Sequence, residues 1–211
     1  MLNNKNIYIK IRDYTDWQTL SQVFYNEDYN LERFTRFKEI NKFLFENGIQ
    51  KLEVRLIPPF YNKLPSDELE YLFFKAAARL IKRDVVLLID YHHQLPFQKN
   101  RREGINKAKR KNLVVKTDDN YDLFWNEVLI PSLSSKYNTA PVHSLEEIKD
   151  LASKFPNHIR QVNVYQDNII VAGTTVFLTD QVVHPQYVSA KANKNELGSL
   201  DLLYDFIIQE F

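Results

Sequence analysis

Three β-rich runs lying almost end to end, 158–166, 168–179 and 181–191, constrain this chain more than any other feature. Only Asp167 separates the first two, and only Asp180 the next two. Asp167-Asn168 supplies turn chemistry, and Thr179-Asp180 makes a second short link. Connections this short return a strand beside its neighbour in the opposite sense; a parallel neighbour needs a crossover of a dozen or more residues. The runs are therefore expected to form an antiparallel meander. The polar loop Ala192-Asn193-Lys194-Asn195-Glu196 follows, and a helix opens at Gly198-Ser199-Leu200. A strand feeding a polar loop and a helix N-terminus is a physical recipe for an anion site, because free N–H groups and the positive dipole end point the same way.

Upstream, Lys99–Asn112 is a basic segment expected to be helical, and Leu113–Lys116 a short strand. Tyr121–Tyr137 reads as a helix broken or kinked at Pro131. Ser144-x-x-Glu147 has capping-box spacing and should start a helix over Leu145–Lys154, with Pro156 as its stop. The second half thus orders as β-α-α-β-β-β-α.

The first half reads as a smaller mixed unit. Ile7, Ile9 and Ile11 alternate with polar residues, the pattern of a half-buried strand. Asp16 caps a short helix carrying Trp17, Leu20 and Phe24. A stronger helix spans Leu31–Asn47, with Gly48 at its C′ position. Lys51–Ile57 is a strand ended by Pro58-Pro59. Ser66 should begin a helix running through Lys82, with Asp67, Glu68 and Glu70 at its positive end. Val85–Ile89 is a continuous apolar run, expected for a central strand buried on both faces. The expected class is α/β, an α+β arrangement with a mixed sheet, in two units at 1–98 and 99–211. The basic segment is expected to bridge them.

Composition narrows the setting. With 211 residues and 44% hydrophobic content the chain can bury a real core. No apolar run approaches bilayer-spanning length, and Met1-Leu2-Asn3-Asn4-Lys5 carries no secretory apolar region. Cysteine is absent, which excludes disulfides and thiolate chemistry. A cytoplasmic protein is the plain expectation. The net charge of +1 argues against a surface built to coat DNA.

The order of elements resembles the opening of the GNAT acyltransferase fold. Arg101-Arg102-x-x-Ile105-Asn106-Lys107-Ala108-Lys109 resembles a basic helix of the Fem-type (FemAB-like) branch. Pro141-Val142-His143-Ser144-Leu145-Glu146-Glu147-Ile148, Ala172-Gly173-Thr174, His184-x-Gln186-Tyr187 and Gly198-x-Leu200-Asp201-Leu202-Leu203 are similar to stretches of a bacterial Fem-like group with two GNAT-like units in tandem. The resemblance covers roughly residues 50–211. It implies transfer of an acyl or aminoacyl group, from acyl-CoA or aminoacyl-tRNA, to an amine of a cell-envelope precursor such as a sugar nucleotide. Members usually continue past this helix into a strand with an Asp-Phe-Gly-like segment. Their pyrophosphate loop is commonly glycine-rich, whereas here Gly198 stands alone. The chain therefore reads as a member truncated after the helix that follows that loop.

Under this resemblance the 181–191 strand lies beside the thioester, and its N–H groups bind the pantetheine arm and stabilise an oxyanion. Ser189, Lys191, Asn193, Lys194, Gly198 and Ser199 are the expected donor-binding residues; the alternative for the loop is an ordinary solvated turn. His184, Gln186, Tyr187, Arg101 and Arg102 are the expected acceptor-binding residues. Pro185 lacks an N–H and marks either a bulge or merely a sheet edge. Without a bulge, Tyr187 points away from His184 and Gln186. Seven of the thirteen residues in Lys99–Lys111 are basic, and they either contact phosphates or form a solvated face. His143, just before a helix cap, reads as structural. His92-His93 lacks a third ligand at useful spacing, so no metal is expected. No general base can be named. The alternative to an enzyme is a catalytically incomplete GNAT-like unit that acts by binding, including homo-oligomerisation through the 181–191 edge.

Overall fold

Asp167 and Asn168 both take left-handed φ values, 49° and 63°, the signature of a two-residue hairpin turn whose twist matches its strands. They join β5 (Ile159–Gln166) to β6 (Ile169–Leu178), and β7 (Val183–Ala190) returns antiparallel to β6. The computed structural model describes residues 4–12, 32–49, 51–64 and 67–211, with side chains described from residue 35 onward. The chain is mixed α/β and divides into two units, Met1–Gln94 and Leu95–Phe211.

The first unit pairs β1 (Asn4–Arg12) antiparallel with β2 (Lys51–Arg55) and with β3 (Arg79–Val86), in the order β2-β1-β3. α1 (Glu32–Glu46) and α2 (Glu68–Lys75) contribute Phe37, Leu72 and Phe73 to a small core. Gly48, at φ 71°, follows α1 as a C′ glycine should. The helix expected around Asp16 lies outside the described residues.

Two expectations for this unit are corrected. The helix expected from Ser66 to Lys82 ends at Lys75. Ala77 takes φ 49°, its N–H bonds to Phe74 O, and Ala78 N–H bonds to Phe73 O. This is a Schellman closure with alanine where glycine is usual. The triplet Ala76-Ala77-Ala78 favours helix by propensity, and pairing of β3 with β1 overrides it. The apolar run Val85–Ile89 is not a central strand. Among the described residues β3 is an edge of this sheet, it ends at Val86, and Val85 and Leu87 are 62% and 83% exposed.

In the second unit, α3 (Lys99–Arg110) leads into β4 (Val114–Thr117), which pairs antiparallel with β5. The sheet order β4-β5-β6-β7 is that of the chain. Between β4 and β5 lie α4 (Tyr121–Phe124), a π-helical segment Trp125–Leu129, α5 (Ile130–Tyr137) and α6 (Leu145–Lys154). The capping box at Ser144 and Glu147 is formed in both directions. After β7 come a single turn, α7 (Lys194–Leu197), and α8 (Ser199–Glu210).

Alternation along β5 sends Val162 and Val164 to one face and Gln161, Asn163 and Tyr165 to the other. The first face packs on α3 and α8 through Ile105, Ala108, Leu203 and Ile207. The second packs under α4 to α6 through Phe124, Trp125, Leu129 and Ile148. The basic segment expected to bridge the two units is thus a covering helix of the second. The distortion expected at Pro131 falls one turn earlier. Ile130 N–H reaches back five residues to Trp125 O, and a wider turn gives the proline ring room it lacks against a regular helix.

Candidate functional site

The register of β7 against β6 changes once. Thr175 pairs with Tyr187 and Val176 with Pro185, so Gln186 is an extra residue. This is the β-bulge that Pro185 made one of two readings. In a regular strand His184 and Tyr187, three apart, face opposite ways. Here His184 stands opposite Phe177 and Tyr187 opposite Thr175, residues two apart on one strand and so on one face. His184 Nε2 and Gln186 Oε1 are 2.9 Å apart. The bulge therefore brings His184, Gln186 and Tyr187 together. Among the described residues β7 has one strand partner, β6, and its other edge is unpaired by any strand.

The π segment and the α5–α6 connection cover this face. The Trp125 ring meets the Tyr187 ring edge-on at 4.9 Å between centroids. His143 reaches the Tyr187 hydroxyl twice: its backbone N–H donates to the phenol oxygen at 3.3 Å, and its Nδ1 lies 2.6 Å away. Ser189 Oγ donates to Val128 O at 3.5 Å, at the limit of a hydrogen bond. Two backbone irregularities, a β-bulge and a π turn, thus converge on Tyr187. Sequence reasoning set His143 aside, since nothing in its local spacing signals a partner 44 residues away.

A chain of buried hydrogen bonds runs beneath. Trp125 Nε1 donates to Thr175 Oγ1 at 3.2 Å, and that hydroxyl donates to Gln161 Oε1 at 2.7 Å. Gln161 Nε2 donates to Asn163 Oδ1, and Asn163 Nδ2 to Asp118 Oδ1, each at 2.8 Å. Trp125, Thr175, Gln161 and Asn163 are all fully buried. Tyr165 donates to the other oxygen of Asp118. Burial, and then that carboxylate, push the Tyr165 phenol up to about 12. Burial, and then Asp119, push Tyr121 up to about 12; its hydroxyl donates to Ile159 O.

The loop after β7 is more structured than expected. Lys191 lies 3.5 Å from Glu127 of the π segment. Asn193 precedes α7 without a side-chain capping bond. Gly198, at φ 71°, joins α7 to α8 and abuts the backbone of Gly104 in α3. Ser199 Oγ is fully buried with no hydrogen-bond partner. The first turn of α8 carries Asp201, which pairs with Arg101 at 2.8 Å.

The basic helix α3 is partly neutralised from the same direction. Besides Arg101, Lys109 lies 3.7 Å from Asp205, and Lys107 donates to Asn195 O at 3.1 Å. Arg102, Arg110 and Lys111 are exposed and have no ion-pair partner among the described residues. The structure therefore separates Arg101, held by α8, from Arg102. Lys194 lies in α7 and is only partly exposed.

No protein-family model, curated protein or solved structure matches this chain. Among the described residues no cluster of His, Cys, Asp or Glu could hold a metal ion, and no helix is long and apolar enough to cross a membrane.

Proposed function

We propose that this chain is an acyltransferase of the GNAT/Fem-like kind, moving an acyl or aminoacyl group from a thioester or ester donor to an amine of a cell-envelope precursor in the cytoplasm. The observation that carries this reading is the bulged edge strand β7, which gathers His184, Gln186 and Tyr187 on one face. The outward N–H and C=O groups of such an edge offer an amide-rich donor arm the bonds a neighbouring strand would make. His184 and Gln186, partly or fully exposed beside it, supply polar groups for the acceptor. The strand-to-helix path from Ala190 to Ser199, and Arg102, which has no ion-pair partner among the described residues, are the groups that would meet donor or acceptor phosphates.

The test is direct. CoA and acetyl-CoA should raise the unfolding temperature of the protein, since a ligand bound only by the folded state stabilises it. Thiol release from acetyl-CoA should depend on the chain and on an added amine, drawn from a panel of amino sugars, sugar nucleotides and dipeptides. No shift with either compound and no release with any amine would refute the reading.

One observation favours a second reading, a unit that acts by binding alone. A donor arm is best held in a gap between two strands, and β7 has a single strand partner among the described residues. In this reading a second copy adds its own strand at β7. A sedimentation coefficient that rises with protein concentration, without response to CoA, would select it.

A further inference from the structure

We infer that His143 offers a fixed Nε2–H donor to the acyl carbonyl of a donor bound at β7, and that Tyr187 is the positioning residue that fixes it; the inference rests on the acyl-transfer reading. The argument is a count of protons around one oxygen. The Tyr187 side chain is buried, and among the described residues its hydroxyl has two partners, both on His143. The backbone N–H of His143 can only donate, so the phenol oxygen accepts it. The phenol proton then needs an acceptor, and Nδ1, at 2.6 Å, is the group in reach. An accepting Nδ1 carries no proton, so the neutral ring carries it on Nε2. The opposite tautomer leaves the phenol proton of a largely buried side chain without an acceptor among the described residues, which is costly.

Three supports hold the ring. Tyr187 is locked edge-on against Trp125. Trp125 is tied through Thr175 to the buried chain under the sheet. The His143 backbone is fixed by the capping box beginning at the next residue. The His143 side is half-exposed, beside the bulged edge. A donor fixed before the reaction costs no reorganisation when charge develops on the carbonyl oxygen. In the step it serves, the amine lone pair forms the C–N bond and the carbonyl electrons move onto oxygen, where Nε2–H donates. The C–S bond then breaks with its electron pair on sulfur, and one amine proton passes to that sulfur. Amine and thioester become amide and thiol, and the imidazole gains and loses nothing.

Two measurements test this. Long-range 1H–15N correlation spectra at pH 8 should show His143 as the Nε2–H tautomer in the wild type and as a mixture in Tyr187→Phe. An Nδ1–H tautomer in the wild type overturns the inference whatever the activity. With acetyl-CoA and the amine giving the fastest thiol release, His143→Phe should lower kcat about 100-fold with KM for acetyl-CoA nearly unchanged. His143→Gln, whose amide nitrogen reaches the Nε2 position, should regain most of it. An unchanged kcat in His143→Phe overturns this inference and leaves acyl transfer standing. Absence of release by the wild type with every amine overturns both.

Discussion

Gly198 and Gly104 touch backbone to backbone where α7, α8 and α3 meet: a Cβ on Gly198 would lie 2.2 Å from the carbonyl oxygen of Gly104. A Cβ on Gly104 would in turn lie 2.0 Å from Oδ2 of Asp201. The two clashes differ in kind. The first is with main chain, at a residue already held at φ 71°; the second is with the end of a flexible side chain. Gly198→Ala should therefore cost about 3 kcal/mol or more, combining overpacking with left-handed strain. Gly104→Ala should cost less, since a helix interior gains about 1 kcal/mol from the same change. Urea unfolding of both variants checks the order, and equal losses would count against the packing described.

The buried relay should behave as one unit. Thr175→Val removes the acceptor of the Trp125 indole and the donor to Gln161. Leaving such groups unpaired in the core costs about 1–3 kcal/mol each. Gln161→Leu should cost as much. The double variant should cost less than the sum, because each single change already orphans the other partner. A double-mutant cycle by chemical unfolding measures the coupling; strict additivity would disprove the connection.

Tyr121 and Tyr165 set an alkaline limit. Their folded values, about 12, lie above the ordinary 10. The unfolded chain therefore loses these protons first as pH rises. Their contribution to stability is complete below about pH 10 and is lost progressively up to about pH 12. Denaturant titrations at pH 9, 10.5 and 11.5 should show the decline, and the double Phe variant should show a shallower one. Phenolate absorbance should report both rings ionising late.

The basic helix should divide by partner. Arg102→Ala should leave stability within about 0.5 kcal/mol and weaken CoA binding, with a flatter dependence on salt. Arg101→Ala should cost stability instead, by about 1 kcal/mol or less, because Asp201 satisfies a guanidinium that is largely exposed. Calorimetric titration of CoA at two salt concentrations distinguishes them; identical affinity in Arg102→Ala would make that face merely solvated.

The meander, the turn at Asp167-Asn168, the capping box and the edges of α6 were legible because each rests on contacts between near neighbours in sequence. The order of β5, β6 and β7 followed, since both links there are short; the place of β4 beside β5 did not, because α4 to α6 intervene. The end of α2 was not legible: three alanines hide a Schellman closure that only the β1–β3 pairing makes worthwhile. Pro185 announced an irregularity without saying which kind. That Tyr187 turns toward His143 depends on one extra residue, and a bulge reverses every facing assignment beyond it. The role of Gly198 was ambiguous for a related reason. A lone glycine before a helix suits a phosphate loop and a close helix contact equally, and its partner, Gly104, lies 94 positions away.

The bulge also limits what can join the sheet. A strand laid along β7 would lose register at Gln186 and meet a missing N–H at Pro185, leaving only Val188–Ala190 as regular pairing ground. Three residues span roughly 10 Å. That length is too short to template an indefinite run of copies and long enough for a small guest with one or two amides. Under the acyl-transfer reading, the same defect that spoils this edge for polymerisation suits it to a visitor that arrives, bonds briefly and leaves.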